Sequence, residues 1–143
     1  MLNAYYLYRI AHQLYKWHIP FLPKFIKLLI FLIYNSSIPY EAQIGQGSRF
    51  GYGGIGVVLH KRTIIGKNCM IGSNVTVGGR SEHWEVPVIG DNVYIATGAK
   101  ILGPIKIGNN VIIGANAVVI TDLPDGAVAA GVPARIIRIK EKK

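Results

Sequence analysis

The chain has 143 residues, 50% of them hydrophobic, with 17 glycines, one cysteine and a formal charge of +9. That length fits one compact domain with an appendage, and the lone Cys69 excludes an intrachain disulfide and fits a reducing compartment. The charge asks for an anionic partner, yet the basic residues are scattered and no aromatics interleave with them, which argues against nucleic acid.

Residues 1–36 read as a helical segment of their own. They hold Arg9, Lys16, Lys24 and Lys27, and no acidic residue precedes Glu41. Leu7, Ile10, Leu14 and Trp17 recur at three or four, predicting a helix from Ala4 to Trp17. Pro20 and Pro23 are expected to break it, and Phe25 to Tyr34 then reads as a second, strongly apolar helix closed by Asn35-Ser36-Ser37. That second run is too short to span a bilayer, and no small-residue cleavage site follows it. Two readings stay open. The helices cap the end of the next domain or meet other subunits, or they lie on an anionic leaflet, where bases without acids are favoured. His12 and His18 read as structural.

From Ile38 onward the period is six. Aliphatic or aromatic residues open the hexads at Ile38, Ile44, Phe50, Leu59, Ile65, Ile71, Val77, Ile89, Ile95, Ile101, Ile107, Ile113 and Val119. Four places later come small or β-branched residues such as Ala42, Ser48, Thr63, Cys69, Val75, Ala99 and Ala117. Such a period suits neither a lone helix nor an alternating sheet; it predicts an all-β domain, a parallel β-helix of hexapeptides over residues 37–137, with 138–143 as a basic tail. Glycine follows many openers, and Gly and Asn are expected to supply positive φ at the corners. Cys69 falls at an inward position and reads as a buried thiol. The repeat breaks twice, at Gly51–Gly56 and at Gly78–Pro87, and function tends to sit where a solenoid is interrupted. His60 and His83 lie near those breaks. No His/Cys/Asp cluster has ligand spacing, so no metal is expected.

Gly54-Ile55-Gly56-Val57-Val58-Leu59-His60-Lys61, Asn74 to Arg80, Gly98 to Ile105 and the late Ala130-Gly131-Val132-Pro133-Ala134-Arg135 resemble the hexapeptide-repeat acyltransferases. The branch is that of serine O-acetyltransferases and glycan O-acetyltransferases, over residues 36–137. The resemblance implies a left-handed β-helix, a homotrimer, acetyl-CoA as co-substrate and direct acetyl transfer to a hydroxyl. An alcohol attacking a thioester needs a base, and a neutral imidazole suits that role. His60 is the expected base, and His83 its partner at the thioester or the base itself. By matching motifs, Gly79, Thr97 and Ala115 line a groove for the pantetheine arm, and Lys100 and Arg135 meet phosphates. Tyr52, Trp84 and Glu85 are candidates for the acceptor side.

One departure bears on the acceptor. Where serine enzymes of this family carry an aspartate followed by the basic histidine, this chain has Gly51 and Tyr52, and a second aspartate aligns with Ser37. The expected acceptor is therefore a sugar or glycan precursor, with serine as the alternative and a non-catalytic scaffold as the rival. The expected location is cytoplasmic, with a peripheral contact on the inner membrane face left open.

Overall fold

A computed structural model describes residues 2–141. Two helices lead into a solenoid of three sheets whose successive coils pair in parallel. The first sheet stacks β1 (Gln43–Ile44), β4 (Ile64–Ile65), β7 (Val88–Ile89) and β10 (Lys106–Ile107). The second stacks β2 (Arg49–Phe50), β5 (Met70–Ile71), β8 (Tyr94–Ile95), β11 (Ile112–Ile113), β13 (Ala127–Gly131) and β14 (Ala134–Ile139). The third stacks β3 (Val58–Leu59), β6 (Thr76–Gly78), β9 (Lys100–Leu102) and β12 (Val118–Val119).

Register puts opener on opener. Ile44, Ile65, Ile89 and Ile107 form one ladder, and Leu59, Val77, Ile101 and Val119 another. Each opener is buried, as are the small residues four places on, including Ser48, Thr63, Cys69 and Ala117. Each aliphatic opener buried this way contributes about 1.5–3 kcal/mol, and only against neighbouring coils, because a single coil has no inside of its own. Burial pushes the Cys69 thiol up, and its Sγ donates to the Gly90 carbonyl at 3.2 Å. It is a structural thiol.

The glycines after the openers do a different job from the one expected. Gly45, Gly66, Gly72, Gly90, Gly108 and Gly114 are not at positive φ; the left-handed corners fall at Gly47, Asn68, Asn74, Asn92, Gly98, Asn110 and Asn116. Proximity is what excludes a side chain. A Cβ on Gly45 would lie 2.6 Å from the Gly66 carbonyl carbon, and one on Gly72 would lie 2.6 Å from the Thr97 nitrogen. Adjacent coils touch backbone to backbone at these corners.

Helix α1 (Ala4–Lys16) is capped by Asn3, whose side chain accepts from the Tyr5 N–H at 3.1 Å. Tyr5 donates to the Gly45 carbonyl at 2.8 Å, and Tyr8 donates to the Ala42 carbonyl while accepting from the Ile44 N–H. Burial pushes the Tyr8 phenol up to about 12, so it stays a neutral donor. His12 places Nδ1 at 2.7 Å from the Tyr40 carbonyl, so Nδ1 carries the donated proton. These contacts seat α1 on the first coil. Helix α2 (Leu22–Tyr34) starts before the expected Phe25, because Pro23 falls in its first turn, where the missing N–H has no partner to lose. At the far end β14 folds back antiparallel on β13, pairing Arg138 with Val128 and Arg135 with Ala130. The last strand therefore runs past the boundary expected at 137, and Arg138 belongs to a hairpin instead of a tail. Lys142 and Lys143 of that expected tail lie outside the described residues.

Candidate active site

The expected site residues divide between the two edges of the third sheet. Where that sheet turns into the first, the coil between β3 and β4 carries His60 and Arg62, and the coil above carries the interruption from Gly79 to Pro87. The His60 N–H donates to the Val77 carbonyl at 2.9 Å, which sets His60 directly under the strand that ends at Gly78. The loop turns tightly, with the His83 N–H on the Arg80 carbonyl at 3.1 Å and Glu82 at φ 71°. Val86 and Pro87 then bury themselves to resume the coil. His83, Trp84 and Glu85 are left exposed, with Trp84 72% accessible.

Arg62 joins the two coils. Its guanidinium donates to the Trp84 carbonyl at 2.6 Å, and its central carbon sits 3.6 Å from the centroid of the Trp84 ring. A cation over an indole face is a favourable contact, on the order of 1 kcal/mol, and the added hydrogen bond fixes where the loop lies. Its buried Nε has no hydrogen-bond partner among the described residues. Sequence reading missed this residue. No signal along the chain pointed to it, because its partner lies 22 residues away on the next coil.

The same residue constrains His60. The Arg62 backbone N–H donates to His60 Nδ1 at 3.1 Å. An Nδ1 that accepts cannot also hold a proton, so the neutral ring carries its hydrogen on Nε2. Burial, then the charges of Arg62 and Lys61, hold the His60 pKa below the usual histidine range. At neutral pH the ring therefore presents an Nε2–H donor. In this geometry it has no free lone pair to act as the base expected of it; the exposed imidazole of His83, on the same edge, has no such constraint from His60 or Arg62.

The opposite edge, where the second sheet turns into the third, is built of small residues. Thr97 and Ala115 are exposed on successive coils. Thr97 Oγ1 lies 2.8 Å from Ser73 Oγ and donates to the Ser73 carbonyl, so the hydroxyls climb from coil to coil. Lys100 Nζ donates to the Asn74 carbonyl at 2.6 Å; it is a cation at the groove but already engaged. Arg135 stands exposed beyond the last coil. Tyr52 belongs to this edge too, in the short 3₁₀ turn Gly51–Gly54, 80% exposed and at φ 50°. One chain thus places His60, Gly79, His83, Trp84 and Glu85 on one edge, and Tyr52, Thr97, Lys100, Ala115 and Arg135 towards the other. Gly79, expected with Thr97 and Ala115, sits instead at the base of the loop. Ser37 bridges to Val58 at the start of the third sheet. Among the described residues no group of three or more His, Cys, Asp or Glu side chains is placed to hold a metal ion.

Residues 87–121 match the family described as bacterial transferase hexapeptide (six repeats), and residues 62–102 match the hexapeptide repeat of succinyl-transferase. A serine acetyltransferase of Helicobacter pylori is 38% identical over 138 residues, covering 95% of this chain and 80% of that one. One from Synechococcus elongatus is 38% identical over 137 residues, covering 94% of this chain and 56% of the relative. The structure of Brucella abortus serine acetyltransferase in complex with coenzyme A superimposes with a TM-score of 0.91 at 32% identity, covering 98% of this chain and 56% of that one. The chain thus spans about half the length of most of these proteins. Sequence, coil register and groove agree: the chain belongs to the serine acetyltransferase family of hexapeptide-repeat acyltransferases.

Proposed function

We propose that this chain moves an acetyl group from acetyl-CoA to an acceptor hydroxyl, at a site completed between neighbouring copies of a trimer. What carries the reading is the division of the site: imidazoles on one edge of the third sheet, a small-residue groove on the other. A threefold arrangement would set the imidazole edge of one copy against the groove edge of the next. The arm of the thioester then lies along Thr97 and Ala115, with Arg135, and Lys100 once released from Asn74, near the phosphates. His83 takes the proton of the attacking hydroxyl as its oxygen bonds to the thioester carbonyl carbon. His60 Nε2–H donates to the oxyanion, a role that a neutral imidazole fills without charge transfer. When the carbon–sulfur bond breaks, the proton on His83 passes to the departing thiolate, leaving the acetyl ester and free thiol.

The relatives' names support serine as the acceptor. A second reading, a sugar hydroxyl, draws support from one observation: Trp84 presents a broad exposed ring beside the imidazoles, while Gly51, Tyr52 and Ser37 offer no carboxylate for an ammonium group. Release of CoA thiol from acetyl-CoA, measured with serine and with a panel of sugars and nucleotide sugars, separates the two. Turnover with serine alone establishes the first reading. If no acceptor reacts and acetyl-CoA does not raise the melting temperature, the chain is a scaffold and the proposal falls.

A further inference from the structure

Among the described residues, the helices that cap the first coil leave one face uncovered. In α2, Phe21 (at its N-cap), Phe25, Leu28 and Leu32 recur at helical spacing and are 80, 56, 50 and 67% exposed. The inward residues, Pro23, Ile30 and Tyr34, are buried, so the exposed stripe is the side turned away from the solenoid. An apolar stripe of this kind on a soluble surface marks something that covers it.

Charge decides what covers it. Lys24 and Lys27 border the stripe and line a cleft of about 480 Å³ together with Leu28, Phe31 and Tyr40. Arg9 and Lys16 stand on the neighbouring helix, and no acidic residue precedes Glu41. A second copy placed on this face would bring like charges together around the apolar contact. An anionic lipid surface answers both features, with acyl chains for the phenylalanines and leucines and phosphates for the lysines. No helix among the described residues is long and apolar enough to cross a membrane. The 13 residues of α2 would lie in the plane of the interface instead. We infer that α2 docks the protein on the surface of a bilayer rich in anionic lipid, with the solenoid standing off the membrane.

Flotation of the full chain with vesicles tests this. Phosphatidylcholine vesicles containing phosphatidylglycerol should carry the protein, and pure phosphatidylcholine vesicles should not. Phe25→Glu with Leu32→Glu should weaken the partitioning by roughly 100-fold, as expected for removing two partly buried apolar side chains. Lys24→Gln with Lys27→Gln should weaken it by roughly 30-fold at low salt, as expected for two charges near an anionic surface. All four positions leave the cap contacts untouched, so circular dichroism and the melting temperature should not move. Equal binding to both vesicle types, or none to either, overturns the inference. So does concentration-dependent assembly of the lipid-free protein that Phe25→Glu with Leu32→Glu abolishes, because the face then belongs to a second copy.

Discussion

The two edges of the third sheet are made from the same hexads but differ in what they offer. On the groove edge the repeat slips once, at Gly51–Gly56 on the first coil, then runs without a break from Gly72 through Ala96 to Gly114, and it exposes backbone, small side chains and hydroxyls. On the imidazole edge the repeat fails after Gly78, and the extruded loop is pinned to the coil below by Arg62. A regular edge suits a long, flexible ligand because it offers length without protrusions. An interrupted edge suits chemistry, because only a departure from the coil can aim polar side chains at one point.

The largest expected effect separates the two histidines on the imidazole edge. His83→Ala should lower kcat by about 10³-fold, within the range for loss of a positioned base. His60→Ala should cost about 10²-fold, as for loss of one oxyanion donor. Steady-state kinetics check both. If His60→Ala costs more than His83→Ala, the two roles are exchanged.

Next comes the clasp. Arg62→Met should free the loop and lower kcat/KM by roughly 10- to 100-fold through lost positioning, with faster proteolytic nicking between Ser81 and Glu85. Arg62→Lys should not restore activity, since an ammonium cannot stack on the indole and reach the carbonyl as a planar guanidinium does. The groove edge should respond differently. Ala115→Leu should raise the KM for acetyl-CoA by about 10-fold with kcat little changed, the pattern of lost uniform binding. A fall in kcat alone would mean that Ala115 faces the reacting atoms and not the arm.

The smallest effect concerns stability. The folded pKa of His60 lies below its unfolded value, so the unfolded state binds the proton more readily. The stability tied to the neutral ring is full above the unfolded value, about 6.5, and is lost as pH falls through the lower folded value. Melting temperatures of the parent and His60→Gln proteins should therefore converge on acidification through that window. Curves that stay parallel would show that the ring is not desolvated in the folded chain.

Much of the architecture was legible because burial in a solenoid depends on period alone. Ile44, Ile65, Ile89 and Ile107 need only recur to be stacked. The glycine positions were legible but their reason was not: Gly45 and Gly72 are required by the approach of the next coil, a distance between residues far apart in sequence. The same holds for Pro23, which reads as a breaker until the helix start places it in the first turn. The histidines and their loop stood out as breaks in the pattern. Arg62 did not, since nothing in its neighbours along the chain announces an indole 22 residues later. The acceptor is where two lines of reading part: Gly51, Tyr52 and Ser37 pointed to a sugar, whereas relatives similar over 95% of the chain are named for serine.

The sequence by itself determined the coil, its inward ladder and the two places where it fails, because a six-residue period leaves a hydrophobic chain one efficient way to bury itself. Only the tertiary structure decided the protonation geometry of His60, the seat of the loop and the division of the site between two edges. The first depends on a turn that brings the Arg62 N–H onto His60, and the others on contacts between successive coils, where a guanidinium and an indole meet at distances that spacing along the chain does not encode.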